Sequence, residues 1–348
     1  MGRCGRCGLH RCPTMEDTLG SRMLVDPAAA LAQFSAGLSR DAAPFALLQQ
    51  AREAGLRGAL VSISAIDGGA PKSLGAHMAV LEDGRFVGHV SGGCVEAAIA
   101  AEVVPILARG IDEVIRFGKG SCFLDIRFPC GGGVDLLIHT RPEPALIDEA
   151  LARFARREAF GIAFVPATSH SRLTDAPPAT GWQDGLFLRR YLPRTKLLAI
   201  GRGPDLEVMA RVAGAAEFDL AFATPDAATA ASLAPLGAPI TRLTTPTQVI
   251  DLPIDPWTAT VLLFHEHEWE NAILARAAAM DGFYLGALGS VRTHQARCER
   301  LRAMGVPEQA IARIKGPIGL IDRAREPGML ALSVLAEITA SRAALDRG

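Results

Sequence analysis

The sequence is poor in aromatic residues, in net charge and in long hydrophobic runs. Phe, Trp and Tyr make up 5% of the 348 residues, and the formal net charge is −1. This near-neutral balance excludes a strongly basic surface for a nucleic-acid backbone and a polybasic membrane anchor. No stretch approaches the roughly 18–20 uninterrupted apolar residues of a membrane-spanning helix. The longest apolar segments, near residues 197–200 and 258–264, have the length of strands.

The N-terminus also lacks the apolar core of a secretory signal peptide. Seven cysteines, an odd number, are scattered without the spacing of a disulfide framework, which favours reduced thiols in a cytoplasm. What the chain does contain is 49% hydrophobic residues and 35 glycines. This composition predicts a sizeable core of small and aliphatic side chains in a layered α/β arrangement. The length, about twice that of a usual domain, predicts two domains.

Residues 1–40 differ from the rest of the chain. Cys4, Cys7, His10 and Cys12 lie within nine residues of a basic, glycine-rich segment. Thiolates at this spacing can chelate zinc or an iron–sulfur cluster, but no strand or helix is predicted nearby to hold such a site. The alternative, which we favour, is a disordered leader upstream of a start at Met15 or Met23.

The order of predicted elements divides the remaining residues. Residues 41–142 mix strands and helices around glycine-rich loops, and residues 143–194 are expected to connect two domains. In residues 195–345, short apolar strands alternate with helices, which is the pattern of a doubly wound parallel sheet. The predicted fold class is therefore α/β, with an N-terminal mixed α/β domain followed by a Rossmann-like domain.

Two glycine-containing turns in the second domain follow predicted strands. Gly201 and Gly203 stand where a dinucleotide fingerprint would begin, because glycines there permit a tight turn and the approach of a phosphate to a helix N-terminus. The rest of the fingerprint is missing, since Leu206 occupies the third glycine position and Thr224 stands where an acid would bind ribose. A phosphate-binding turn and a purely structural turn both remain open.

The second turn contains Gly286, Gly289, Ser290 and Arg292. Ser290 can cap the following helix, and Arg292 in its first turn can face an anion. A well-capped helix whose glycines only shape the turn is the alternative. Because both turns follow parallel strands, they are expected at the same edge of the sheet, where ligands bind in open α/β folds.

Cys94 is the sharpest feature of the first domain, because it follows Gly92 and Gly93 at the start of a predicted helix. The positive end of the helix dipole favours a thiolate, which can serve as a nucleophile or as a ligand for a soft metal or sulfur. A buried structural cysteine is the alternative. Cys130 precedes a similar glycine run, and Lys72, in the loop at 67–75, can supply positive charge. Cys122 and Cys298 have no such setting.

His265, Glu266, His267 and Glu268 follow one predicted strand. Their spacing is not that of a helical zinc pair, and no P-loop, G-x-S-x-G or H-E-x-x-H motif occurs. The usual hydrolase and kinase mechanisms therefore find no support in the sequence.

Several motifs in a fixed order resemble the XdhC/CoxI family. They are GAHM at 75–78, GHVSGGCVE at 88–96, CGG at 130–132, YLGALGS at 284–290, GPIGL at 316–320 and ALSVLAEI at 331–338. One position and one segment depart from the family pattern: an acid usual at the position of Thr224 is absent, and the acidic run usual near residues 322–329 reads DRAREPGM. Residues 1–40 have no counterpart in the family pattern.

The resemblance implies a maturation factor for molybdenum hydroxylases such as xanthine dehydrogenase, aldehyde oxidoreductases and carbon monoxide dehydrogenase. Such a protein would bind molybdenum cofactor in its mononucleotide or dinucleotide form, protect it during sulfuration and deliver it to an apo-enzyme. A homodimer, and a cysteine desulfurase as a further partner, are expected on the same ground. No nucleic-acid or membrane partner is expected, and a carrier of this kind need not be an enzyme.

The predicted cofactor-binding residues combine this resemblance with the local chemistry; Cys94 and Cys130 are also the predicted metal ligands. The full set is Lys72, Gly92, Gly93, Cys94, Cys130, Gly201, Gly203, Gly286, Gly289, Ser290 and Arg292. A nicotinamide-dependent oxidoreductase that uses the C-terminal sheet is the alternative function. A scaffold that contacts the target enzyme without holding cofactor is a third.

Overall fold

The structure, a computed structural model, describes residues 39–93, 95–123, 131–175, 179–247 and 251–347. It divides the chain into two units, Met1–Leu192 and Pro193–Gly348. The boundary lies next to Arg194, where the sequence pattern changes to regular strand–helix alternation. The predicted Cys4–Cys12 cluster lies outside the described residues.

The first half of unit 1 is an antiparallel sheet between two helical layers. Its elements are α1 (Ala43–Glu53), β1 (Gly58–Asp67), β2 (His77–Leu81), β3 (Phe86–Gly88), α2 (Glu96–Arg109), β4 (Glu113–Gly118) and β5 (Gly133–His139). The strand order is β3-β2-β1-β5-β4, and each neighbouring pair is antiparallel. Side chains of β1 alternate between two cores: Leu60 packs with α1, whereas Val61 and Ile63 pack with α2. The central strand is therefore apolar on both faces.

Residues 143–192 belong to unit 1 rather than forming a free connection. They contain α3 (Pro144–Arg156), β6 (Phe160–Val165), a short 3₁₀ turn (Pro166–Thr168), β7 (His170–Thr174), β8 (Gly181–Gln183) and β9 (Leu186–Tyr191). The four strands form an antiparallel sheet in the order β7-β6-β9-β8. Phe160, Phe187 and Tyr191 share one core with Phe45 of α1. This shared core explains why the segment cannot be an independent linker.

Unit 2 is a parallel sheet covered on both faces. Its elements are β10 (Lys196–Gly201), α4 (Gly203–Ala215), β11 (Asp219–Thr224), α5 (Ala227–Leu233), β12 (Ile240–Arg242), β13 (Thr258–Leu263), α6 (Glu270–Ala278), β14 (Tyr284–Ala287), α7 (Val291–Ala303), α8 (Glu308–Ile311), β15 (Ile314–Lys315) and α9 (Pro327–Arg347). The order is β12-β11-β10-β13-β14-β15, with parallel pairing throughout. This arrangement confirms the predicted α/β fold class with a Rossmann-like C-terminal domain.

Helix α9 is the one helix among the described residues with the length and apolar composition of a membrane span. Ala331, Val334 and Ile338 on it are fully buried and pack against α4 and the sheet. One face of this helix is therefore part of the core of unit 2.

Candidate functional site

One end of the antiparallel sheet in unit 1 carries most of the glycine-rich loops. Because neighbouring strands run in opposite directions, this end bears the last residues of β1, β3 and β4 and the first residues of β2 and β5. The loop residues 67–76, 89–93, 118–123 and 131–132 all adjoin this end. We call this the loop end. It brings together Lys72, Gly92 and Gly93, which the sequence singled out separately.

Cys94 and Cys130 themselves lie outside the described residues. Their described neighbours Gly93, Val95 and Gly131 belong to loops of the loop end. These three described residues therefore lie at the same end of one sheet.

The glycines at the loop end have two different physical roles. A Cβ on Gly132 would lie 1.9 Å from the carbonyl oxygen of Gly69, so that only glycine allows these two loops to touch. By contrast, a Cβ on Gly92 or Gly93 would meet no atom of the described residues within 4 Å, and both residues are exposed. Gly132 thus holds the loops together, and Gly92 and Gly93 leave open surface beside the backbone.

Lys72 is the cation at the loop end without an ion-pair partner among residues that the structure describes. It is exposed. Arg116 lies 3.5 Å from Asp67 and 3.4 Å from Asp135, and Lys119 lies 3.8 Å from Asp67. Those two cations are neutralised locally, whereas Lys72 is available to an anionic ligand.

His77, in the GAHM motif, is a buried structural histidine. Its Nε2 donates to the carbonyl oxygen of Asp41 at 3.0 Å, and its Nδ1 accepts from the hydroxyl of Tyr191 at 3.1 Å. Burial lowers the pKa of His77 to about 4. The imidazole is therefore neutral at physiological pH and fixes the start of β2.

A hydrogen-bonded Asp–His–Ser chain lies away from the loop end. Asp112 Oδ2 is 2.7 Å from His139 Nδ1, and His139 Nε2 is 2.9 Å from Ser171 Oγ. The bonding order is that of a hydrolase triad, but Ser171 is only 2% exposed. Because a nucleophile must reach its substrate, we assign this chain to stability: it joins β5 to β7, across the two sheets.

In unit 2 the predicted glycine turns lie at the carboxyl ends of the parallel strands, as expected. Gly201 is required by close strand packing, because a Cβ there would lie 2.5 Å from the carbonyl oxygen of Leu263. Gly203 has a positive φ of 73° and open space around its Cβ position. Its N–H already donates to Thr229 Oγ1 at 3.0 Å.

The crevice between β10 and β13, where strand order reverses, is occupied by the protein's own charged side chains. Asp205 in the first turn of α4 pairs with His265 at 3.2 Å, and Arg202 pairs with Glu266. Asp226, near the usual ribose-binding position, instead accepts from the N–H and hydroxyl of Thr229. Carboxylates thus stand where a pyrophosphate would bind, which weighs against the oxidoreductase alternative.

The turn after β14 is the less obstructed part of the same edge. Ser290 caps α7 by accepting from the N–H of Thr293 at 3.2 Å, and the first turn of this helix contains no acid. Arg292 is exposed. Gly289, with φ at 141°, packs against Thr293, and Gly286 packs against Ile318 and Tyr284. The turn retains a helix N-terminus and one exposed cation that can face an anion.

The loop at 316–321 is held beside this turn by Glu337 of α9. The carboxylate accepts from the Tyr284 hydroxyl and the Gly319 N–H, both at 2.7 Å, and from Lys315 Nζ at 3.2 Å. Burial alone would raise the pKa of Glu337, but these donors lower it below its usual value. No sequence pattern had marked Glu337 as a site residue, although it lies in the ALSVLAEI motif.

We expect Glu337→Gln to lower the free energy of unfolding of unit 2 by about 2 kcal/mol at pH 7, because an amide cannot accept from all three donors. The lowered pKa in the folded state makes this contribution complete above the unfolded-state pKa and progressively lost as pH falls through the folded-state pKa. Denaturant titrations of both proteins between pH 7 and pH 4 measure the difference. A difference in the free energy of unfolding between wild type and Glu337→Gln that grows towards acid pH would contradict the role assigned to Glu337.

Among the described residues, no group of three or more His, Cys, Asp or Glu side chains could hold a metal ion. The free thiols described are Cys122, which is exposed, and Cys298, whose Sγ lies 3.6 Å from His294 Nε2. The predicted metal ligands Cys94 and Cys130 lie outside these residues and stay a prediction.

Comparisons with known proteins agree with the two-unit architecture. Residues 51–118 match the XdhC and CoxI family, and residues 197–338 match the XdhC Rossmann domain. A crystal structure described as a xanthine dehydrogenase from Bacillus halodurans has a TM-score of 0.67 and covers 88% of this chain and 96% of its own. At 18% identity, it supports the fold alone.

Two curated relatives cover most of the chain. The molybdenum cofactor insertion chaperone PaoD of Escherichia coli (strain K12) is 35% identical over 283 residues, which are 81% of this chain and 83% of PaoD. A Bacillus subtilis (strain 168) protein, named as one of the subunits of a probable xanthine dehydrogenase, is 24% identical over 85% of this chain and 96% of its own length. Together with the two domain matches, the likeness to PaoD shows that this chain belongs to the XdhC and CoxI family.

Proposed function

We propose that this protein is a carrier for molybdenum cofactor, which it protects, holds during sulfuration and delivers to an apo-enzyme of the molybdenum hydroxylase class. The observation that carries the proposal is the convergence of the loops that contain Lys72, Gly92, Gly93 and Gly131 at the loop end of unit 1. The named function of PaoD, insertion of molybdenum cofactor, supports the same role.

The residues at the loop end suit such a cargo chemically. The cofactor is a pterin dithiolene that carries a phosphate, or a pyrophosphate in its dinucleotide form. Exposed Gly92 and Gly93 leave room against the backbone, and Lys72 can bind a negatively charged group. We propose Cys94 and Cys130 as the soft donors for the metal or its sulfur.

Unit 2 offers a separate surface for an anion. We propose that Gly289, Ser290 and Arg292 bind a phosphate group at the N-terminus of α7, where no acid in the first turn opposes it. We also propose that Gly201, Gly203 and Gly286 lie beside a ligand. Gly201 and Gly286 have packing roles as well, because a Cβ on either would contact neighbouring residues.

The nicotinamide-dependent alternative is less well supported. The crevice where a dinucleotide would bind contains Asp205 and Glu266, and the Gly203 N–H is already bonded to Thr229. A non-catalytic carrier requires no hydride acceptor in this crevice. We therefore favour the carrier over the oxidoreductase. We propose that the carrier is a cytoplasmic homodimer, that its client is an apo-enzyme and that a cysteine desulfurase supplies the sulfur.

The test is cofactor loading in cells that synthesise molybdenum cofactor. We expect purified wild-type protein to contain molybdenum and a pterin released as its fluorescent oxidised form. Cys94→Ala and Cys130→Ala should each reduce the pterin content by about tenfold or more, because each removes a proposed ligand. Cys298→Ala is the matched control and should load normally. Pterin-free wild-type protein that binds NAD tightly would overturn the carrier function.

A further inference from the structure

The loop that contains Gly92 and Gly93 is tied to the first residue of α2. The side chain of Glu96 folds back, so that Oε1 accepts from the Ser91 N–H at 2.7 Å and Oε2 accepts from the Ser91 hydroxyl at 2.7 Å. Oε2 also lies 3.3 Å from the N–H of Val95. The Gly93 N–H in turn donates to Ser91 Oγ at 3.3 Å. One carboxylate thus binds both sides of the glycine pair.

Glu96 is 2% exposed, and a carboxylate at such a position is retained only when its oxygens are hydrogen-bonded. Burial by itself would raise its pKa, but the Ser91 hydroxyl and backbone donors outweigh burial and lower the pKa below its usual value. His89 Nδ1, 3.8 Å from Oε1, adds a weaker favourable charge when protonated. The ionised carboxylate is therefore the form that the loop binds.

This arrangement differs from an ordinary helix cap. A capping side chain precedes the helix and accepts from N–H groups within its first turn. Here the acceptor lies inside the helix, and its main partners lie five residues earlier in the chain. The bonds restrain the loop, at the point where Gly92 and Gly93 are exposed with open space beside them.

We infer that Glu96, acting through Ser91, is a positioning residue that holds the backbone at Ser91, Gly92 and Gly93 in the conformation that receives the cofactor. This inference rests on the proposed carrier function. Glu96 itself does not contact the cofactor. It restrains the loop in the free protein, so that less conformational entropy is lost when the cofactor binds.

The first measurement is hydrogen–deuterium exchange on the full-length protein without cofactor. An amide side chain has one acceptor oxygen where the carboxylate has two, so Glu96→Gln cannot accept from all the donors that Glu96 binds. We expect the amides of Ser91 and Val95 to exchange about tenfold faster in Glu96→Gln than in wild type. Unchanged exchange at both amides would overturn the inference.

The second measurement is pterin content after expression in cofactor-producing cells. We expect Glu96→Gln and Ser91→Ala each to lower it by roughly tenfold, and the double variant to fall no further than Glu96→Gln, because both remove the same anchor. Effects that multiply in the double variant would contradict a shared anchor.

Val103→Ala is the control for general destabilisation. Val103 is fully buried on the same helix, two turns after Glu96, and does not touch the loop through a hydrogen bond. It should lower the unfolding midpoint while leaving pterin content unchanged. If Val103→Ala and Glu96→Gln have equal unfolding midpoints and lose equal amounts of pterin, the effect of Glu96 is one of stability alone. That result would overturn the inference. Wild-type protein without pterin would overturn the carrier function instead, and the exchange measurement would still decide whether Glu96 anchors the loop.

Discussion

Glu270→Ala is expected to lower the free energy of unfolding of unit 2 by about 3–5 kcal/mol, the cost of leaving a buried charge without its partner. Glu270 and Arg297 are both fully buried. Both carboxylate oxygens of Glu270 lie within 3.2 Å of the Arg297 guanidinium. Without the carboxylate, the buried guanidinium lacks its counter-ion.

The same substitution is expected to disturb the turn at Gly289 and Ser290. Arg297 Nη2 donates to the carbonyl oxygen of Leu288 at 2.6 Å, so the ion pair supports the residues immediately before the proposed phosphate-binding turn. Denaturant unfolding gives the stability change, and exchange of the 288–293 amides gives the local change.

The double variant Glu270→Leu/Arg297→Met separates charge from packing. Replacing both partners by apolar side chains of similar size removes the unpaired charge, so most of the lost stability should return. The double variant also removes Arg297, which donates to the Leu288 carbonyl, so faster exchange in the turn should persist. A double variant as unstable as Glu270→Ala would show that the pair matters through its shape instead of its charge.

The fold of unit 2 could be predicted from sequence because each strand is a short apolar run followed by a helical pattern. Strands β12 and β15 could not be predicted, because they have only three and two residues and depend on pairing with their neighbours in the sheet. In unit 1, β7 reads HSRLT and β8 reads GWQ, both too polar to predict a strand. Their pairing with β6 and β9 supplies what the local pattern lacks.

The candidate site was predictable only where local chemistry marks it. Glycines before a helix and a serine at a helix start carry their own signal: Gly92 and Gly93 lie in the loop before α2, and Ser290 caps α7. Glu96, Arg297 and Glu337 act through partners that sequence spacing does not reveal. Glu96 directly follows SGGCV and Glu337 lies in ALSVLAEI, but the hydrogen bonds that each makes became visible only in three dimensions.

Asp112→Ala is expected to lower the free energy of unfolding of unit 1 by about 3 kcal/mol or more, because three buried donors lose a charged acceptor. Asp112 Oδ2 binds His139 Nδ1 at 2.7 Å, and Oδ1 accepts from the N–H and the hydroxyl of Thr140 at 2.9 and 3.1 Å. His139 in turn binds Ser171, so the loss extends from one sheet to the other.

Asp112→Asn is the matched control, because it keeps an acceptor for Thr140 but presents an amide N–H₂ to His139. His139 can satisfy this group by moving its proton from Nδ1 to Nε2, where it then donates to Ser171 Oγ. We therefore expect Asn to cost less than half as much as Ala, with the ¹⁵N chemical shifts of His139 reporting the exchanged tautomer. Ser171→Ala should lower the free energy of unfolding by about 1 kcal/mol. When wild-type protein is treated with a fluorophosphonate, Ser171 should stay unlabelled. Covalent labelling of Ser171 would contradict the structural role and make this Asp–His–Ser chain a catalytic one.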